Sequence, residues 1–214
     1  MRGFFVTGTD TGVGKSVVSA WLLALVAGDY WKPIQSGLLE PGDTEVVRRL
    51  SGCSEAVFHP ERWRLVAPLS PHESARLEGV TLRLDDFSLP VTGRPLIVEG
   101  AGGVLVPLNA TELMADLMVR LALPVIVVAR TTLGTINHTL LTLEALRSRR
   151  LPLAGVVLNG AENPANREAI RHYGRVPILG SIPPLSWSSL SPPASWAVPS
   201  PEFQTLLEQV VRDS

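Results

Sequence analysis

The stretch Phe4-Phe5-Val6-Thr7-Gly8-Thr9-Asp10-Thr11-Gly12-Val13-Gly14-Lys15-Ser16 decides how the rest of the chain is read. Its apolar opening reads as a strand, its glycine-bearing middle as a turn, and Ser16 to Ala27 as a helix. Glycine lets successive backbone N–H groups converge on one point. The helix start adds the positive end of its dipole, so an anion is favoured there. Lys15 can reach the β- and γ-phosphates of a nucleotide, and the Ser16 hydroxyl can ligate Mg²⁺. The usual phosphate loop has glycine where Thr9 stands; here Gly8 lies one residue earlier. A plain linking turn would explain the glycines but not Gly-Lys-Ser at a strand-to-helix junction. Gly12, Val13, Gly14, Lys15, Ser16 and Val17 are therefore the expected nucleotide-binding residues.

From this loop the pattern runs outward. Tyr30 to Ile34 reads as a second short strand and Asp43 to Leu50 as a helix. Leu96 to Glu99, Val125 to Ala129 and Val156 to Leu158 are runs too short for helices and suited to buried strands. Helices are expected at Glu112 to Leu121, Thr135 to Arg149, Ala165 to His172 and Glu202 to Arg212, and a last strand at Val176 to Ile182. Strands that alternate with helices and stay apolar imply a parallel sheet covered on both faces. The expected fold is α/β: one phosphate-loop type domain over residues 1–214, in three layers, with a mostly parallel sheet. Residues 52–94 are less regular, and no element is assigned to them beyond a helix start near His72. Pro183 to Pro201 holds six of the 18 prolines together with Trp187 and Trp196, and reads as an irregular connector within the domain.

Composition narrows the function classes. The 214 residues carry a net charge of −1, which gives no electrostatic case for a nucleic-acid partner. Cys53 stands alone, which excludes an internal disulfide and a cysteine-rich zinc site. The longest apolar run, Leu121 to Ala129, is too short to cross a bilayer. The apolar stretch after Met1 ends too early for a secretory signal. A cytoplasmic setting without membrane contact is expected.

Only Lys15 and Lys32 among the 19 basic residues are lysine. Codon bias accounts for an arginine-rich chain but not for where the two lysines fall, each in a glycine-bearing turn after a strand. A compact ammonium suits a place that the broad guanidinium fork cannot enter. Lys32-Pro33-Ile34-Gln35-Ser36-Gly37 closes the second strand, so Lys32 is expected in the same crevice as Lys15. Two ammonium groups at one site need an anion between them, and a transferring phosphoryl group is such an anion. Carboxylates are needed to complete a magnesium shell. Glu99 ends Leu96-Ile97-Val98 and enters Gly100-Ala101-Gly102-Gly103, whose small residues admit a ligand close to the backbone. Asp43 is either a second metal ligand or simply the N-cap of its helix.

Taken in order, the Gly8–Ser16 loop, Lys32–Gly37, Ser70-Pro71-His72, Glu99–Gly103, Gly134-Thr135-Ile136-Asn137-His138 and Asn159 resemble the dethiobiotin synthetase family of biotin synthesis. These anchors span roughly residues 3–185. The resemblance implies an ATP-dependent cyclo-ligase acting on 7,8-diaminopelargonate and CO₂ or bicarbonate. CO₂ adds to one amine, ATP phosphorylates the carbamate, and the second amine closes a cyclic urea. It implies Lys32 and Lys15 as catalytic residues and Ser16, Asp43 and Glu99 as Mg²⁺ ligands. Gly100, Ala101, Gly102, Asn159, Pro183, Pro184 and Leu185 join the phosphate loop in nucleotide binding, the last four at the adenine edge. Thr11 and Ser36 fall at substrate-contacting positions. The family forms homodimers with substrate across the interface, where the helix start at Gly134, Thr135, Ile136 and Asn137 receives the substrate carboxylate from the other subunit.

Other candidates carry less. His72 and His138 sit at helix starts, where hydrogen-bonded structural histidines are common. Cys53 follows Gly52 in a loop without a partner base and reads as a packing thiol. A regulatory ATPase of the partition or septum-placing type is one alternative, but the chain lacks a further lysine near the start of its phosphate loop. An amidotransferase-type ligase is another, and 214 residues leave no room for its glutaminase domain.

Overall fold

The computed structural model describes residues 2–38, 41–53, 58–185 and 195–213. Among these, the elements run β1 (Gly3–Gly8), α1 (Lys15–Val26), β2 (Asp29–Trp31), β3 (Ile34–Ser36), α2 (Asp43–Ser51), β4 (Phe58–His59), β5 (Trp63–Leu65), α3 (Pro71–Leu77), β6 (Leu96–Gly103), α4 (Met114–Leu121), β7 (Val125–Arg130), α5 (Thr135–Ser148), β8 (Leu153–Asn159), α6 (Pro164–Gly174), β9 (Ile178–Ile182) and α7 (Pro201–Arg212). Seven strands form one sheet in the order β4-β2-β6-β1-β7-β8-β9, every pairing parallel.

Side chains alternate across each strand and divide the core in two. Phe4, Val6, Ile97, Ile126, Val128 and Val157 face α1, α2 and α7. Phe5, Val98, Val125, Val127 and Val156 face the opposite side, toward α4, α5 and α6. Burial on both faces is why these strands are nearly continuous in Val and Ile. The three-layer expectation holds, and the sheet is wholly parallel. No helix among the described residues is long and apolar enough to cross a membrane.

Several expected boundaries move. The strand expected over Tyr30 to Ile34 is two strands: Pro33 has no N–H to extend the ladder, so β2 stops at Trp31. Beyond it β3 leaves the main sheet and pairs in parallel with β5. The helix expected from Glu112 begins at Met114, because Asp116 Oδ2 accepts the Leu113 N–H at 2.7 Å and caps the first turn there. Glu112 instead lies 2.5 Å from the Asn109 amide in the preceding loop. The strand through Glu99 continues to Gly103, with a break in register against β1 between Glu99 and Gly103, where Gly103 pairs with Gly8. Residues 52–94, read as less regular, contain β4, β5 and α3.

Part of the proline-rich connector, residues 186–194 with Trp187, lies outside the described residues. The rest is tied down: Trp196 is buried, and the Trp21 indole donates to the Ala197 carbonyl at 3.3 Å. Ser200 then caps α7 by accepting the Phe203 N–H at 3.2 Å. Cys53 is half-buried against the core as expected of a packing thiol.

The Phe203 ring is fully buried, 5.9 Å from Phe4 and 5.8 Å from Trp21, so it anchors α7 to the sheet and to α1. Phe203→Ala is expected to lower unfolding free energy by about 3–5 kcal/mol, measured by urea titration.

Candidate active site

After β1 the chain crosses to β2 on one side of it, whereas β6 is followed by β7 on the other. Such a switch of direction leaves a crevice at the C-terminal ends of the central strands. A cavity of about 550 Å³ opens there, lined by residues that include Thr11, Gly12, Gly14, Lys15, Ser16, Lys32, Gln35, Ser36, Asp43, Glu99, Ala101 and Gly102.

Gly12 and Gly14 have φ of 70° and 97°, the left-handed backbone that turns the loop back on itself. A side chain on Gly14 would meet Asn159 Nδ2 at 2.1 Å, whereas Gly12 faces open space. The Asn159 amide donates to the Val13 carbonyl at 3.0 Å and braces the loop from β8. On the other side, Arg130 donates to Asp10 Oδ2 at 3.1 Å.

Glu99 projects from β6 on the same side as Ile97, toward α1, and is 1 % exposed. Its Oε2 accepts hydrogen bonds from Ser19 Oγ at 2.7 Å and Tyr30 Oη at 3.1 Å. Its Oε1 lies 3.0 Å from Ser16 Oγ and 3.4 Å from Lys32 Nζ. Lys32 Nζ also meets Asp43 Oδ2 at 2.6 Å and donates to the Gly100 carbonyl at 2.9 Å. Asp43 opens α2 behind Gly42, so the helix cap is not its role. Its Oδ1 takes the Ser16 hydroxyl at 3.0 Å, and Gln35 Oε1 accepts its backbone N–H at 2.9 Å.

The charges respond to this packing. Burial pulls the Lys32 ammonium toward neutrality, but Glu99 and Asp43 outweigh it and hold its pKa above the ordinary lysine value. Burial opposes the Asp43 carboxylate too, and Lys32 and Ser16 overcome that to hold it below the ordinary range. Among the described residues no carboxylate contacts Lys15; burial and the neighbouring Lys32 charge lower its pKa, and its ammonium donates to the Asp10 carbonyl at 3.1 Å. Burial and then Glu99 push the Tyr30 phenol well up, so it stays a neutral donor.

Ser16, Asp43 and Glu99 thus bring three hard oxygen donors to one point. No group of three or more His, Cys, Asp or Glu able to hold a metal occurs among the described residues. Two carboxylates and a hydroxyl suit Mg²⁺, which keeps several waters and phosphate oxygens in its shell. The donor set fits that ion.

Comparison with known proteins converges on one family. A family model described as an AAA domain matches residues 2–192. The ATP-dependent dethiobiotin synthetase BioD of Paramagnetospirillum magneticum is 60 % identical over 86 % of this chain and 89 % of its own length. The chain belongs to the ATP-dependent dethiobiotin synthetase family. The enzyme of the same name from Brucella ovis is 52 % identical over 87 % of each chain. The cell-division ATPase MinD of Pyrococcus furiosus, 16 % identical with a TM-score of 0.57 over the whole of both chains, shares the fold alone.

Within this family framework, the expected residues separate into two sets. Lys15, Ser16, Lys32, Asp43 and Glu99 meet in the cavity, with Thr11 and Ser36 on its wall. Gly100 presents its carbonyl to Lys32, and Ala101 and Gly102 line the cavity beside it. Gly12, Gly14 and Val17 line it too, whereas Val13 and the remaining expected residues lie outside the cavity lining. Asn159 sits behind the loop, Pro183 and Pro184 are exposed, and Leu185 packs on the α1 side of the core. Gly134 caps α5, Asn137 beside it is exposed, and Thr135 is tied to the Arg130 carbonyl at 2.5 Å. His72 meets Ser70 Oγ at 3.0 Å, as a structural histidine does, whereas His138 is exposed.

Sequence reasoning missed Ser19, Tyr30 and Gln35. A signal existed for Ser19, which stands three residues after Ser16 on the same helix face. Gln35 lies in the quoted Lys32–Gly37 stretch, but its hold on Asp43 depends on the break at Pro33.

The ion cluster has a pH signature. Asp43's contribution to stability is fully present above its ordinary value of 3.8 and is lost as pH falls through the depressed one. Lys32's is fully present below 10.5 and is lost as pH rises through the raised one. Lys32→Met is expected to lower stability at neutral pH by about 3–5 kcal/mol, chiefly by leaving Glu99 buried and unpaired. Urea unfolding across the acid range should show that deficit shrinking as the carboxyls protonate.

Proposed function

We propose that this protein uses ATP to close 7,8-diaminopelargonate and CO₂ into dethiobiotin, with release of ADP and phosphate. The observation that carries the reading is the meeting of the chain's two lysines in one cavity beside Ser16, Asp43 and Glu99. The family name of its relatives supports the reaction.

In this reading the phosphate loop and α1 hold the triphosphate, with Lys15 turning from the Asp10 carbonyl to the β- and γ-phosphates. Mg²⁺ held by Ser16, Asp43 and Glu99 would neutralise phosphate charge. CO₂ combines with one amine of the diamine to give a carbamate and a proton. A carbamate oxygen attacks the γ-phosphorus and ADP leaves, giving a carbamic–phosphoric anhydride. The second amine attacks its carbonyl carbon, the urea ring closes, and phosphate departs. Lys32 pairs first with the carbamate and then with the phosphoryl group, where negative charge develops. Both amines sit on one molecule, so ring closure draws on high effective molarity. Thr11 and Ser36, which line the cavity, would contact the substrate in this reading.

The assembly proposed is a homodimer. A second groove of about 520 Å³ adjoins the cavity at Thr11 and Val106 and runs along α5 past His138 and Leu141. Leu105 and Leu141 in its lining are more than half exposed. A partner seated there would bring Gly134–Asn137 of its α5 toward the substrate carboxylate, which a helix start favours. Asn159, Pro183, Pro184 and Leu185 form the adenine edge in this assignment.

Phosphate release from ATP should depend on both the diamine and bicarbonate and be indifferent to glutamine. Release without either would favour a switch ATPase, and glutamine dependence an amidotransferase relative. Lys32→Arg is expected to lower kcat by about 10²–10³-fold, because the guanidinium fork cannot occupy the small site of the ammonium. Near-normal turnover in that variant would overturn the role given to Lys32. Specific activity should fall on dilution in step with dimer dissociation followed by analytical ultracentrifugation.

A further inference from the structure

The two oxygens of Glu99 have different surroundings. Ser19 from α1 and Tyr30 from β2, both fully buried, place their hydroxyl donors on the same atom, Oε2, at 2.7 and 3.1 Å. A carboxylate oxygen has two in-plane lone pairs, and these two donors occupy both. Oε1 instead meets two other residues of the cavity lining, Ser16 Oγ at 3.0 Å and Lys32 Nζ at 3.4 Å. The carboxylate is therefore pinned from α1, from β2 and from Lys32 just beyond β2, with Oε2 held by two hydroxyls and Oε1 left to Ser16 and Lys32.

We propose that Ser19 and Tyr30 are positioning residues that restrict Glu99 to a one-oxygen ligand and thereby set the preference of this site for Mg²⁺ over Ca²⁺. The inference rests on the reading that Ser16, Asp43 and Glu99 hold a divalent cation. Ca²⁺ accepts six to eight oxygens in loose geometry and is well served by a carboxylate clasping it with both. Mg²⁺ requires near-octahedral geometry at short distance, which a single fixed oxygen satisfies. With Oε2 engaged, Glu99 cannot swing to the two-oxygen mode without breaking two buried hydrogen bonds. The hydroxyls would also be needed if they merely solvated a buried charge. That simpler role predicts equal weakening of every cation, whereas a constraint on denticity predicts a change in the ratio between them.

The test uses the full-length protein loaded with ADP. Mn²⁺ binding is followed by electron paramagnetic resonance, and Mg²⁺ or Ca²⁺ is titrated in as competitor. Ser19→Ala removes a single oxygen, and Tyr30→Phe keeps the ring that packs 5.7 Å from Phe58, so each variant is read separately. In either one Mg²⁺ is expected to bind about tenfold more weakly. Ca²⁺ should hold its affinity or gain, so the discrimination narrows by about the same factor. Parallel loss of both ions, or no change in either, would overturn the proposal. Glu99→Gln distinguishes the two levels. If it leaves both ions unchanged, Glu99 is not a ligand and the reading of the metal site falls with the proposal. If it weakens both ions while the hydroxyl variants keep the wild-type ratio, the denticity constraint alone falls.

Discussion

The buried ammonium of Lys32, set between Asp43 and Glu99, is the constraint around which this end of the molecule is built. Removing a charge from water is costly, and the cost is offset only when partners surround it closely. Here the partners come from α2 and β6, and the Gly100 carbonyl takes another of the ammonium's protons. One side chain therefore ties together the end of β2, the start of α2 and the centre of the sheet. The same carboxylates suit a divalent cation, so the cluster links fold stability to ligand chemistry. Filling the site with metal and phosphate would exchange one set of counter-charges for another.

Lys15 is the complement. It lies in the same cavity with no carboxylate of the described residues in contact, and burial and Lys32 both disfavour its charge. One lysine is satisfied by the protein and the other by its own loop's backbone. The phosphate role proposed for Lys15 agrees with this, since an anion there would supply the counter-charge its ammonium lacks.

Much of this was legible in the sequence because local chemistry dictates it. Glycines before Lys15-Ser16 specify the loop, and runs such as Val125 to Ala129 specify buried strands. Glu99 could be placed because an acid at the end of an apolar strand has few alternatives. What was hidden depends on contacts between distant segments. Asp43 could not be told from a helix cap until Gln35 was seen holding its N–H, which follows from Pro33 turning β3 out of the main sheet. Tyr30 read as an ordinary strand aromatic, and only the register of β2 beside β6 brings its hydroxyl to Glu99. The β4, β5 and α3 region eluded pattern reading because its elements are two to seven residues long, too short for a period to show.

The two glycines of the phosphate loop also differ in what evolution or design can do with them. At Gly14 the amide of Asn159 stands in the way, and an added carbon would displace that side chain and its bond to the Val13 carbonyl. At Gly12 nothing stands in the way, so a side chain there meets only the penalty of its left-handed backbone, about 1–3 kcal/mol. Position 12 is therefore the loop's open port, where a side chain could be added at the cavity wall while the frame behind it stays untouched.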